Sequence, residues 1–158
     1  HKKENVIMNK KQKSLTNKGF SLVELIIVIA IMAVLVGVLA PQFIKYVEQS
    51  RKSTDIQNAE SIKTAVLADI ADGKITGSDS NKQFGNIATP FVGDGTMASA
   101  ITTAPTVQGS IGGKKAKGFL VTYNATAGTC SVSVTNEDGT KSYVLTEANT
   151  ADDYKNEK

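Results

Sequence analysis

Read from its N-terminus, the chain alternates between kinds of pattern that predict different elements. Leu25 to Ala40 is a run of sixteen residues without one polar side chain. With Phe20, Leu22 and Val23 added, the apolar stretch reaches the length of about 20 residues that an α-helix needs to cross a bilayer. Behind it, Phe43, Ile44 and Val47 begin a second helical stretch, and Ile56, Ala59, Ile62, Val66 and Ile70 follow at steps of three and four. That spacing lays one apolar stripe along a helix facing a core. Gly73, after Ala71 and Asp72, fits a helix C-cap. The eight residues between the two stretches, Glu48 to Asp55, are polar on every face and predict a solvent-bridging turn of helix.

The interruptions matter as much as the runs. Gly37 and Pro41 fall inside the helical pattern, and an interior proline removes a backbone hydrogen bond and kinks or ends a helix. The segment there reads either as a bend or as a loop between an anchor and a domain. Residues 74–117 are rich in Gly, Thr, Ser and Ala with little periodicity, and predict irregular surface with a short helix near Thr96 to Thr102. Then the period becomes two. Phe119, Val121 and Tyr123 alternate with Leu120, Thr122 and Asn124, Cys130, Val132 and Val134 alternate with Ser131, Ser133 and Thr135, and Tyr143 and Leu145 alternate with Val144 and Thr146. The turn signal Glu137-Asp138-Gly139-Thr140 separates the last two runs. Three antiparallel strands with one apolar face, packed on the helical stripe, give an α+β head. Asn149 to Lys158 is polar and predicts a frayed tail.

Charge sharpens the first of these elements. The 158 residues carry a formal net charge of +3, but residues 1–19 hold six lysines, Lys2, Lys3, Lys10, Lys11, Lys13 and Lys18, against Glu4 alone. The remaining residues hold 12 basic and 14 acidic groups, so the basic character belongs to the N-terminal segment and the body has no electrostatic footprint for nucleic acid. Lysines ahead of the apolar run, with none behind it until Lys45, predict an N-terminus inside the cell and a head outside. The first methionine is Met8, so residues 1–7 read as an upstream extension and are set aside. A cleaved secretory signal peptide fits poorly. The one small-residue site after the run, Val38-Leu39-Ala40, is followed by Pro41, and the run exceeds the usual length of about 7 to 15 residues.

A glutamate, Glu24, stands at the head of this apolar run. A carboxylate at the centre of a membrane helix costs about 2.5–3.5 kcal/mol on insertion scales, so it calls for a partner or a function. Around it, Lys18-Gly19-Phe20-Ser21-Leu22-Val23-Glu24-Leu25 resembles the prepilin cleavage motif of type IV pilins, from about Lys10 through the helix to about Asp72. The resemblance implies a leader of residues 1–19 cut after Gly19 by a prepilin peptidase, and a mature chain beginning at an N-methylated Phe20. It implies the pilin fold, a long N-terminal helix of about residues 20–72 on a three- to four-stranded antiparallel sheet. In that layout 20–43 is the transmembrane and later filament-core segment, and 44–72 the amphipathic half. An αβ-loop at 73–117, a sheet at 118–148 and a polar tail at 149–158 complete the chain.

Cutting at Gly19 would create an ammonium group on Phe20, a cation at a helix N-terminus where the macrodipole disfavours it. In a staggered array the Phe20 amine of one subunit can meet Glu24 of another, setting the register of assembly; pairing with the amine of its own chain is also compatible with the spacing. A helix over residues 20–72 would extend roughly 80 Å, too far for its own head to cover, so lipid first and copies of itself later must bury its front half. The resemblance thus implies a polymer of this chain as filament, located first in the cytoplasmic membrane and then on the cell surface, for adhesion, aggregation or twitching motility. The implied partners are prepilin peptidase, an assembly platform and minor pilins, with no cofactor. Two alternatives remain open: a pseudopilin of a type II secretion or DNA-uptake system, which shares the N-terminus, and an uncleaved membrane-anchored surface binding domain.

Candidate chemistry elsewhere changes little. His1 is the one histidine, so no His-based triad or zinc site is expected, and no enzymatic activity with it. Gly112-Gly113-Lys114 lacks the spacing of a P-loop, and Asp94-Gly95 and Asp138-Gly139 read as turns. Lys114, Lys115 and Lys117 form a small basic patch on a solvated loop, and Asn124-Ala125-Thr126 matches a glycosylation sequon that arises often by chance. Many type IV pilins close a C-terminal loop with a disulfide. With Cys130 as the one cysteine, predicted to be a buried strand residue, this chain cannot, a departure that suits the pilins of Gram-positive bacteria.

Overall fold

The computed structural model describes residues 19–83 and 105–157. Residues 1–18 of the leader expected at 1–19, the short helix expected near Thr96 to Thr102, and Asp94-Gly95 lie outside the described residues. The chain divides into two compact units, with the boundary in sequence between Gln42 and Phe43.

The first unit is the front of α1 (Leu22–Ala71), a single α-helix of 50 residues. Its β-branched and leucine-rich run is helical because nothing in it breaks the backbone ladder before Pro41. Proline brings no N–H, so the Gly37 carbonyl four residues earlier loses its usual donor, yet α1 continues through both residues. Phe20 and the large apolar side chains from Leu22 to Leu39 are all exposed, and Phe20 most of all at 90%. Among the described residues α1 is the one helix long and apolar enough to cross a membrane.

The second unit holds the rest of α1 and the head. α1 stops in a Schellman motif. Gly73 takes a left-handed conformation (φ 74°) that a side chain would oppose, its N–H donates to the Ile70 carbonyl at 3.1 Å, and Lys74 N–H donates to the Asp69 carbonyl at 2.9 Å. β1 (Ser78–Gln83), β4 (Leu120–Asn124), β5 (Thr129–Thr135) and β6 (Ser142–Val144) form one antiparallel sheet in the order β1-β4-β5-β6. β2 (Ser110–Ile111) and β3 (Lys114–Lys115) make a separate small hairpin whose turn, Gly112-Gly113, has both φ angles positive. α2 (Ala148–Asn156) closes the chain.

The three expected strands fall on β4, β5 and β6, and β5 turns into β6 through Asp138, whose carboxylate accepts from the N–H (3.0 Å) and hydroxyl (2.7 Å) of Thr140. The fourth strand, β1, lies in the stretch read as irregular. Its sequence, SDSNKQ, has no apolar alternation, and it carries a bulge between Asp79 and Lys82 at which Asn81 adopts φ 53°.

One apolar face of this sheet meets the rear stripe of α1. Ala59, Ile62 and Val66 are buried against Phe119, Val121, Val132, Val134, Leu145 and Tyr154, with Ile56 and Ile70 packed at the margin. Cys130 is buried on the same face as expected, and desolvation pushes its thiol up to about 11. Two expectations fail here. Residues 149–156 are helical rather than frayed, because Ala151 and Tyr154 are buried one turn apart on α2. The polar stretch Glu48 to Asp55 does not lie wholly in solvent, because Lys52 and Asp55 are 1% and 0% exposed.

Candidate functional site

The residues read as a processing site stand at the start of α1. Gly19 and Phe20 precede the helix in non-helical backbone, and an added Cβ on Gly19 would meet nothing within 4 Å. Ser21 is the residue before the first helical position, Leu22, and Glu24 is the third helical residue. Two reciprocal hydrogen bonds join them. Ser21 N–H donates to Glu24 Oε2 at 2.7 Å, and Glu24 N–H donates to Ser21 Oγ at 3.2 Å. This is a capping box, which satisfies two backbone donors that the first turn of any helix leaves without carbonyl partners. The Ser21 carbonyl then accepts the first intrahelical bond, from Leu25 N–H at 3.1 Å.

The partner of Glu24 in this chain is therefore its own N-cap, Ser21. Sequence reading missed Ser21, although its signal is present: Ser21-Leu22-Val23-Glu24 spells the serine-x-x-glutamate pattern directly ahead of an apolar run. A carboxylate in the first turn also faces the positive end of the helix dipole, a favourable place for it. Gly37 and Pro41 stand downstream, both inside α1.

A second constellation, in the head, was not foreseen. Asp55 on α1 is fully buried, and three donors converge on its carboxylate: Gln108 N–H (2.7 Å) on Oδ1, and Gly109 N–H (2.8 Å) and the Tyr154 hydroxyl (2.7 Å) on Oδ2. One helical turn earlier, Lys52 donates from Nζ to the Glu157 carbonyl at 3.1 Å, lies 3.6 Å from Glu157 Oε2, and sits 5.0 Å above the Tyr154 ring centroid. Glu157 in turn accepts from Gly112 N–H and pairs with Lys141 at 3.4 Å, while Glu48 Oε1 accepts from both the N–H and the hydroxyl of Ser110 at 2.7 Å. Burial raises Asp55 from its ordinary value despite its donors, and raises the Tyr154 phenol as well.

Gly109 is the residue that lets this knot close. A Cβ there would come within 2.8 Å of Lys52 Cγ and 2.9 Å of Asp55 Oδ2, and closer still to the Tyr154 hydroxyl. Every buried side-chain polar atom among the described residues has a hydrogen-bond partner, and no group of His, Cys, Asp and Glu among them could hold a metal. No sequence signal exposes it, because Asp55 and Tyr154 are 99 positions apart.

Comparison with known proteins bears on the N-terminal site directly. A family profile described as "Prokaryotic N-terminal methylation motif" matches residues 15–40, the segment holding Gly19, Phe20, Ser21 and Glu24. The chain is 35% identical over 106 residues to "Prepilin peptidase-dependent protein A" of Clostridium perfringens, a match that takes in 63% of this chain and 75% of that protein. It belongs to the type IV pilin family.

Other relatives place the pilin beside fimbrial subunits. It is 30% identical over 81 residues to "Type IV major fimbrial protein FimA" of Dichelobacter nodosus, and 37% identical over 60 residues to another protein of that name. The first of these matches takes in 51% of each chain, so the pilin spans about half the length of the fimbrial relatives it matches. No solved structure matches it. The pilin's long helix and four-stranded antiparallel sheet are the α+β architecture of its family.

Proposed function

We propose that the chain is cut between Gly19 and Phe20, methylated on the new Phe20 amine, and polymerised into a surface filament that serves adhesion, aggregation or twitching motility. The observation that carries this reading is the start of α1: a carboxylate, Glu24, in the first turn of a helix whose apolar side chains from Leu22 to Leu39 are all exposed in the isolated chain. Exposure on that scale demands another apolar environment. Lipid supplies it before assembly, with the lysine-rich segment inside and the head outside, and neighbouring helices supply it in the filament. In that filament the Phe20 ammonium of one subunit pairs with Glu24 of another. Gly37 and Pro41 give α1 its weak place, since the lost backbone bond lets the helix bend or open there as it moves from lipid to polymer.

The work of this chain is structural. Peptidase, assembly platform and minor pilins supply the chemistry and the force. Relatives named as major fimbrial proteins favour a long surface fibre over the short fibre of a secretion or DNA-uptake pseudopilin.

The test is the intact mass and N-terminal sequence of material sheared from the cells that make the protein. A mature chain starting at methylated Phe20 in filamentous material is the expected result, and Glu24→Ala should abolish the filaments while leaving the cut intact. A chain retaining Lys18-Gly19 and present in membranes alone would overturn the proposal in favour of an uncleaved anchored surface protein. Cleaved chains forming short fibres confined to the envelope would favour the pseudopilin.

A further inference from the structure

At the start of a helix four backbone N–H groups have no carbonyl to bond, and in lipid no water compensates them. In α1 these belong to Ser21, Leu22, Val23 and Glu24. The reciprocal pair of bonds between Ser21 and Glu24, at 2.7 and 3.2 Å, takes up the first and the last. The same two bonds fix the glutamate side chain. Oε2 is committed within the chain, and Oε1 has no bond among the described residues.

We infer that Ser21 is the positioning residue for Glu24: it holds the carboxylate against the helix N-terminus, one oxygen satisfied and the other available to a cationic group of a second copy of this chain. This rests on the reading of Glu24 as an assembly contact given above, and adds what keeps Glu24 in place beforehand. A free glutamate at a lipid-facing helix end would carry its rotamer freedom and its unmet charge into the encounter, and both would oppose docking. The capped glutamate has lost that freedom already. Both bonds use atoms on the mature side of the Gly19–Phe20 bond, so cleavage leaves the box standing. Ser21 therefore acts in assembly and not in the cut.

The experiment compares full-length wild type, Ser21→Ala, Ser21→Thr and Glu24→Gln in the cells that make the protein, and the uncleaved chains in phospholipid nanodiscs. Ser21→Ala should be cut as completely as wild type by intact mass, yet yield about fivefold less sheared filament, the size of effect a lost N-cap produces. Ser21→Thr, which keeps the hydroxyl, should stay close to wild type. In nanodiscs, hydrogen exchange at the Glu24 amide should speed up in Ser21→Ala and stay slow in Ser21→Thr. Glu24→Gln should keep the slow exchange, since glutamine also closes a capping box, while losing filaments for want of the charge.

Wild-type filament yield in Ser21→Ala would overturn the inference, as would poor cleavage of that variant, which would place Ser21 in peptidase recognition. Fast exchange at Glu24 in the wild type would overturn it also. A wild type that forms no filaments would overturn the function proposed above, and the exchange data would still decide whether Ser21 holds Glu24.

Discussion

Between Leu22 and Tyr46 the exposed side chains of α1 are mainly leucine, isoleucine and valine, whereas between Lys52 and Asp69 the hidden ones include a lysine and two aspartates. Each half thus departs from the usual rule of apolar inside and polar outside. The front half departs because its apolar side chains stay exposed in the single chain, and the lipid and neighbouring helices proposed above would supply their burial. The rear half departs because the head carries its own partners for the buried charges: two N–H groups and a phenol for Asp55, and a carbonyl, a carboxylate and a ring for Lys52. A side chain's neighbours, and not its polarity alone, decide where it can stay.

The sharpest way to break this comparison is to make the same cut in both halves. Phe119 is fully buried in the head core, and Phe119→Ala should lower the unfolding free energy of the full chain in detergent by about 3–5 kcal/mol. Ile29 is half exposed in the front half, and Ile29→Ala should leave head stability unchanged within about 0.5 kcal/mol while reducing filament yield. Denaturant unfolding followed by tyrosine fluorescence reads both, because three of the four tyrosines, Tyr123, Tyr143 and Tyr154, lie in the head. Equal losses from the two variants would mean that the front half stabilises the head, against the division drawn here.

Next in size is the buried carboxylate. Asp55→Ala removes one acceptor and strands three donors, and should cost about 2–3 kcal/mol, less than the phenylalanine because water can enter the space and satisfy some of them. Tyr154→Phe keeps the ring against Tyr143 and under Lys52 and removes the hydroxyl alone, so about 1 kcal/mol is expected. If Tyr154→Phe costs as much as Asp55→Ala, the knot acts through the tyrosine and not through the carboxylate. Thermal unfolding of both variants beside wild type decides it.

How much of this was legible in the sequence follows the same division. The front half announces itself, because sixteen apolar residues in a row, a glycine-phenylalanine junction and an isolated glutamate are all local signals. So are β4, β5 and β6, whose alternation needs no more than seven residues to read. β1 was missed because its neighbours, not its own side chains, make it a strand: it pairs with β4 across the bulge, and Asn81 N–H donates to Thr122 Oγ1 at 3.0 Å. α2 and the Asp55 knot were missed for a related reason. A tyrosine among aspartates and asparagines looks like a tail until Asp55, 99 positions earlier, is brought against it. Ser21 is different in kind. Its capping pattern is local and readable, four residues long, and it places the partner of Glu24 in its own first turn.

The smallest effect expected is the dependence of the head on pH, and its sign is a strict test of the knot. Desolvation raises Asp55 above its ordinary value of 3.8, and the three donors reduce that rise without reversing it. A carboxyl that is harder to ionise when folded binds its proton more tightly in the native state. Between 3.8 and its folded value the native chain therefore carries more protons than the unfolded one, and stability falls as pH rises. The contribution of Asp55 is complete below that window and lost above it. Asp55→Asn abolishes this titration and leaves every other acid in place, so the difference in melting temperature between wild type and variant isolates it. Measured from about pH 3.5 to about pH 7, the advantage of wild type should shrink as pH rises, then level off. An advantage that grew with pH would mean that the donors of Gln108, Gly109 and Tyr154 outweigh burial, and that the rear half of α1 carries its aspartate as a stabilised anion.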